Sequence, residues 1–192
     1  MSDKIKIILI GGILLMSMSK LAKASIKKTI GLEKGYVNDS RDLGGATRYG
    51  ITEAVAREYG YRGRMQDLPY SLAMEIYSNR YWNPLRLDEF SDQKLAYKVF
   101  DIAVNSGRSR AVKILQEAYN MCVEGNPLVV DGMIGKNTIG HVNRFNDPSR
   151  LRLIFEANKI SRYIEITKAR EKNETFIGGW LLKRSSLGDI KI

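Results

Sequence analysis

Two carboxylates and a hydroxyl stand at short spacing near the start of this chain: Glu33, then Asp42 nine residues on, then Thr47 five further. A carboxyl kept protonated can donate a proton to a leaving group, and a carboxylate beside a hydroxyl can hold and polarise a water. Each role makes a demand on local structure. In Ser25 to Lys34, Ile26 and Ile30 are four apart, and Glu33 follows at i+7 and i+3 from them, on the same face of a helix. The carboxylate therefore turns toward the core. Gly35 is a natural helix stop, so Glu33 falls in the last turn, where the negative end of the helix dipole adds to desolvation. Both effects favour the protonated form that a general acid needs near neutral pH.

The second half is read as a hairpin. With Gly44-Gly45 as a two-residue turn, Asp42 sits across from Thr47, their Cβ atoms roughly 5 Å apart on one face. Singly, a Glu near a helix end and an Asp near a Gly-Gly turn are ordinary surface features. Their combination, with Glu33 on an apolar face, is what points to chemistry.

The order Glu33, Asp42, Thr47 resembles the Glu, Asp, Thr arrangement of T4-type phage lysozymes. The surrounding stretch EKGYVNDSRDLGGATRYGIT is more similar still to the opening motif of glycoside hydrolase family 108, E-G-G-Y-V-x-D-P-x-D-P-G-G-x-T-x-x-G-I. That family occurs in phage endolysins and in muramidases that assist typhoid-toxin-type secretion. Lys34, Ser40 and Leu43 depart from the motif, and the three chemical positions do not. The resemblance covers everything but the first two dozen residues. It implies a mainly α, lysozyme-like domain with one small β-hairpin carrying catalytic residues, and cleavage of the peptidoglycan glycan strand without cofactor or metal.

Three further segments carry the resemblance. The word D-x-A-V-N-x-G implies, by this resemblance, that Asn105 lines a saccharide cleft, and Tyr49 in the opening motif is a further candidate for saccharide contact. VVDGMIGKNT resembles the D-G-x-I-G-P-x-T word of the family's C-terminal peptidoglycan-associated region, and FIGGWLLKR resembles its ending. The physical reading of Asp131-Gly132 is a tight turn whose Asp side chain bonds nearby backbone. Tyr81 and Trp82, at the end of the helix opened by Pro69, and Trp180 in the tail fit either core packing or a sugar-stacking wall. Packing is the simpler reading of each.

The N-terminus has a different composition. Lys4 and Lys6 precede a twelve-residue run, Ile7 to Met18, that is mostly apolar, and Ala22-Lys23-Ala24 follows. This is the layout of an export signal, and the run is short for a membrane span. Its glycines and serines, and the lysines around the A-x-A site, also resemble the signal-arrest-release segments of some phage endolysins. The expected destination is the periplasm, with transient inner-membrane association.

The chain carries a formal net charge of +10, and removing the four lysines and single aspartate of residues 1–24 leaves +7. Such a protein is drawn to anionic polymers. Bacterial wall and nucleic acid both qualify by charge, but Lys and Arg are interspersed with Asp and Glu, and no nucleic-acid motif appears. One Cys excludes an internal disulfide, and one Cys with one His is too few for a Cys/His zinc site. Cys122 is expected buried, on a stripe with Leu115 and Ala118.

The rest reads as helix. Thr52 caps a segment to Tyr59; a helix runs from Pro69 toward Pro84; residues 92–107 form a central helix, apolar nearly all round, with Asp101 held by a structural hydrogen bond; Arg108 to Val123 form the next. Asp147-Pro148 starts a helix to about Lys172, with Leu151, Ile154, Phe155 and Ile164 on its buried face. The expected division is a targeting segment (1–24), a muramidase domain (25–124) and a helical C-terminal region (125–192) packed on it. The protein is expected to be a monomeric N-acetylmuramidase serving phage host lysis or wall editing during secretion. A lytic transglycosylase using Glu33 alone and a non-catalytic peptidoglycan-binding protein are the competing readings.

Overall fold

The structure is a computed structural model that describes residues 18–32, 35–36 and 46–168. Among them are seven α-helices and one two-stranded antiparallel hairpin. The chain divides into two compact units, residues 1–88 and 89–192.

In the first unit, α1 spans Lys20–Leu32. It begins five residues before the expected Ser25. The reason is local: the Ser19 hydroxyl accepts from the Ala22 N–H at 2.9 Å and donates to Asp88 Oδ1 at 2.5 Å, and the Lys23 N–H reaches the Ser19 carbonyl at 3.0 Å. Ser19 is thus an N-cap fixed by a carboxylate from the far end of the unit. Met18, Ala22, Ile26 and Ile30 are buried at i, i+4 steps, and Ser25 and Thr29 lie on the same face. Ala22, the first residue of the A-x-A site, is 1% exposed. The apolar run before Met18 lies outside the described residues; among those described, no helix is long and apolar enough to cross a membrane.

The hairpin follows as β1 (Thr47–Arg48) and β2 (Ile51–Thr52), then α2 (Glu53–Glu58), a 3-10 turn at Met65–Asp67 and α3 (Tyr70–Tyr77). Thr52 caps α2 as expected, its hydroxyl accepting from the Val55 N–H at 3.4 Å. Leu72, Ile76 and Tyr77 are buried on α3, as their spacing required. The expected helix toward Pro84 does not continue in α geometry: Ser78–Trp82 is a π-helical turn, closed by the Asn83 N–H on the Ser78 carbonyl at 2.9 Å. α1 packs against both α3 and this π turn.

The second unit holds α4 (Gln93–Ser106), α5 (Arg108–Asn120), α6 (Lys136–Arg144) and α7 (Pro148–Lys168). Asp92 caps α4 through the Lys94 and Leu95 N–H groups at 3.0 and 3.2 Å. The buried side chains of α4 run from Leu95 through Ala96, Val99, Phe100, Asp101, Ile102 and Ala103, the profile its sequence gave. α4, α5 and α7 pack on one another. Glu156 on α7 pairs with Lys98 of α4 at 2.8 Å and with Lys159 one turn on. Asp147 and Pro148 start α7 as expected: the Asp147 carboxylate accepts from the Arg150 N–H at 2.9 Å. Leu151 and Phe155 are buried, but Ile164 is 40% exposed, and Tyr163 takes the inward position. Cys122 is buried, as are Leu115 and Ala118, and desolvation raises its thiol pKa, although α5 itself ends at Asn120.

The cap at Ser19 gives a direct check. Ser19→Ala removes both the Ala22 bond and the Asp88 bond, and the expected loss is about 1 kcal/mol, within the ordinary range for an N-cap. Chemical denaturation measures it; an unchanged midpoint would show that α1 does not depend on this cap.

Candidate active site

The described part of the site is the hairpin and what holds it. Thr47 pairs with Thr52 and Arg48 with Ile51, leaving a two-residue loop at Tyr49-Gly50. Both loop residues have positive φ, 55° for Tyr49 and 74° for Gly50, the signature of a type I′ turn. The expected turn at Gly44-Gly45, and with it the pairing of Asp42 with Thr47, lies outside the described residues. Thr47 is half-buried between Ala46, which is buried, and Arg48.

A hairpin of two residue pairs is not stable by itself. A non-glycine residue in the left-handed region adds a cost of about 1–2 kcal/mol at Tyr49. Contacts from outside the hairpin offset this. At the base, the Glu53 N–H donates to the Ala46 carbonyl at 2.9 Å, joining the strands to the first turn of α2. At the tip, the Tyr77 hydroxyl donates to the Tyr49 carbonyl at 2.9 Å. Tyr70, two turns earlier on α3, meets the Tyr49 ring edge-on with centroids 5.6 Å apart. Arg48 lies over the same ring, 4.9 Å from its centroid, and donates to the Tyr49 hydroxyl at 3.1 Å.

Beside the hairpin is a cleft of about 480 Å³ lined by Tyr36, Ala46, Glu53, Arg57, Arg62, Gly63, Arg64 and Met65. Tyr36 and Ala46 are the described residues on either side of the segment that carries Asp42. Arg57 braces the cleft wall: it pairs with Glu53 and donates to the carbonyls of Tyr61 and Gly63 at 2.8 and 2.9 Å.

Residues 26–107 match the family model described as Glycosyl hydrolase 108, and residues 110–185 match one described as Predicted Peptidoglycan domain. Residues 26–107 are similar to glycosyl hydrolase family 108. The structure of Brucella abortus SagA is similar over 84% of this chain and 88% of that chain, with a TM-score of 0.66 and 26% identity. No curated protein matches the chain. The fold is mainly α and lysozyme-like, with one small hairpin among the described residues, and the two domain matches support a peptidoglycan hydrolase.

Within the stretch that matches family 108, the residues expected to act are only partly in view. Glu33 and Asp42 lie outside the described residues, and so does Trp180 in the peptidoglycan domain; Thr47 and Tyr49 sit on the hairpin. Tyr81 is half-buried on the π turn, 6.1 Å from the Tyr77 ring, and Trp82 beside it is core at 1% exposure. Asn105 is exposed in the last turn of α4, its amide donating to the Asp101 carbonyl at 2.6 Å.

In the peptidoglycan domain the D-G word is structural, as its chemistry suggested. The Asp131 carboxylate accepts from the Met133 N–H at 2.8 Å and from the Gln116 amide at 2.8 Å. Buried Gln116 also takes the Gly132 N–H at 2.9 Å and donates to the Met133 carbonyl at 3.2 Å. These bonds hold the Asp131 pKa below the usual carboxylate range, with the Gln116 amide contributing most. Gly132, at φ +76°, lies so close to α5 that a Cβ there would come within 2.8 Å of the Ser109 carbonyl oxygen. A larger cleft of about 990 Å³ runs between α5 and α7, with Arg108, Arg110, Lys113 and Arg162 on its walls.

Sequence reasoning passed over Glu75, a carboxylate between Met74 and Ile76 on α3. It is half-buried, and desolvation raises its pKa. Its charge in turn raises the pKa of Tyr59, whose own burial is the larger cause. The signal in the sequence was an acid inside an apolar run.

A carboxyl whose folded pKa is raised binds more protons folded than unfolded. Its contribution to stability is therefore present in acid and is lost as pH rises through the raised value. Glu75→Gln is expected to raise the melting temperature at neutral pH and to flatten its decline above the ordinary carboxylate range. A melting curve series between pH 4 and pH 8, run for both proteins, checks the sign; a lower melting temperature at neutral pH would contradict it.

Proposed function

We propose that the protein is an N-acetylmuramidase, hydrolysing the glycan strand with inversion. The observation that carries the reading is the coincidence of the family 108 match with the Glu33, Asp42, Thr47 spacing, Thr47 standing on a hairpin anchored at both ends. In this mechanism the Glu33 carboxyl gives its proton to the glycosidic oxygen as the bond from that oxygen to the anomeric carbon breaks. Asp42 and Thr47 hold a water on the opposite face of the sugar; its oxygen bonds to the anomeric carbon, and Asp42 takes its proton. One water is consumed, and the two carboxyls exchange protonation states before solvent resets them. Tyr49, Tyr81, Asn105 and Trp180 are the side chains proposed to meet the saccharide.

Substitution tests each role. Glu33→Gln keeps the side-chain volume and cannot donate the proton, so it is expected to fold and lose essentially all wall hydrolysis. Asp42→Asn and Thr47→Ala are expected to lower kcat by about 10²–10⁴-fold with KM little changed, because neither holds ground-state substrate. A tenth of native activity in Glu33→Gln would remove it as the acid. Anhydro-muramyl products would move the transglycosylase reading ahead.

The same reading takes the enzyme across the inner membrane by its N-terminal segment. Two observations favour retention of that segment over cleavage after Ala24: Met18 and Ala22 are buried, and Ser19 caps α1 and bonds Asp88. Removing residues 1–24 would strip the first turn and cap from the helix leading to Glu33. A signal-arrest-release segment, held in the membrane and later freed, leaves α1 whole. The intact mass of active enzyme from the periplasm is expected to include Met18. A mature N-terminus at Ser25 with full activity would show that α1 does not need its first turn.

A further inference from the structure

We propose that Tyr77 is a positioning residue for the hydrolytic water, acting through the hairpin tip on Thr47. The inference rests on the reading of Thr47 as a water-holding residue, and its test separates the two.

A type I′ loop is most stable as Asn-Gly, because both positions need positive φ. Here the first position is Tyr49 at φ 55°, a residue that does not hold that conformation unaided. Tyr77 supplies what the turn lacks. It is 2% exposed on α3, and its hydroxyl donates to the Tyr49 carbonyl at 2.9 Å. The bond is to the backbone, so it fixes the orientation of the peptide between Tyr49 and Gly50 whatever side chain stands at 49. Tyr70, on the same face of α3 seven residues earlier, packs edge-on against the Tyr49 ring. From the tip the constraint passes along one pair, Arg48 with Ile51, to the next, Thr47 with Thr52. The base is closed on α2 by the Glu53 bond to Ala46. With the tip released, a two-pair ladder has one fixed end, and the Thr47 hydroxyl gains freedom where a water must be held in line with the anomeric carbon. A small displacement there costs rate rather than affinity.

The test is a double-mutant cycle on full-length enzyme, with kcat and KM measured on soluble glycan-strand fragments of peptidoglycan and a thermal melt for folding. Tyr77→Phe keeps the ring in the core and removes only the hydroxyl. It is expected to lower kcat about tenfold or more, with KM within twofold. Tyr49→Asn converts the loop to Asn-Gly, which holds itself, so Tyr77→Phe in that background is expected to cost less than threefold. Native kcat in Tyr77→Phe overturns the proposal, and so does an equal loss in both backgrounds, which would mark a general core effect. Should Tyr77→Phe fail to fold alone, folding restored by Tyr49→Asn, with kcat of the double variant within threefold of Tyr49→Asn alone, supports the proposal, and failure to fold in both backgrounds overturns it. Thr47→Ala, measured alongside, separates the two claims. If it is fully active, the water-holding reading falls; if it is inactive while Tyr77→Phe is fully active, only the role of Tyr77 falls.

Discussion

Burial of one stripe of α1 is the constraint on which the rest depends. Met18, Ala22, Ile26 and Ile30 recur at four-residue steps, and burying the two isoleucines contributes about 1.5–3 kcal/mol each. That stripe sets how the helix is rotated about its axis, and the rotation decides which face each of its residues takes. Glu33 lies outside the described residues, and its proposed use as an acid rests on its sequence spacing, i+3 from Ile30. A helix packed on α3 and the π turn, and capped by Ser19, makes a firmer support than a loop would.

The hairpin works differently, because its order comes from its surroundings. Two residue pairs and a tyrosine in the left-handed region do not make a stable ribbon. The Ala46 bond to α2 and the Tyr77 bond from α3 provide the order instead. The two supports of the proposed chemistry thus meet in α3, which packs against α1 and carries both Tyr70 and Tyr77. The peptidoglycan domain shows a comparable device, where the single buried amide of Gln116 satisfies the turn around Asp131, Gly132 and Met133.

The legible features were those written in nearest-neighbour chemistry. Caps at Thr52 and Asp147, the Asp131 turn, the apolar spacing on α3 and the buried central helix all follow from a few adjacent side chains. What escaped depends on distant partners. Ser19 starts α1 early because Asp88 fixes it from sixty-nine residues away, and no local pattern announces that. Tyr49 adopts positive φ because Tyr77 and Tyr70 hold it, so Tyr49-Gly50 does not read as a turn beside the more obvious Gly44-Gly45. The π turn at Ser78–Trp82 shifts the helical phase, leaving Trp82 buried and Tyr81 half-exposed. Of the candidate site, Thr47, Tyr49, Tyr81 and Asn105 have described positions, whereas Glu33 and Asp42 rest on the sequence and the family 108 match, and Trp180 on the sequence and the peptidoglycan-domain match.

The central claim is that a water, held on the face of the sugar opposite the acid, attacks the anomeric carbon directly. The anomeric configuration of the first product settles this. Proton NMR of soluble glycan strands, followed within the first minutes of digestion and before mutarotation, reads the new reducing end. Inversion of the β-linked substrate predicts that the α anomer appears first and the β anomer grows in later. Initial release of the β anomer would require a covalent or substrate-assisted intermediate, and a product with no reducing end would require an anhydro sugar; either result would contradict the account.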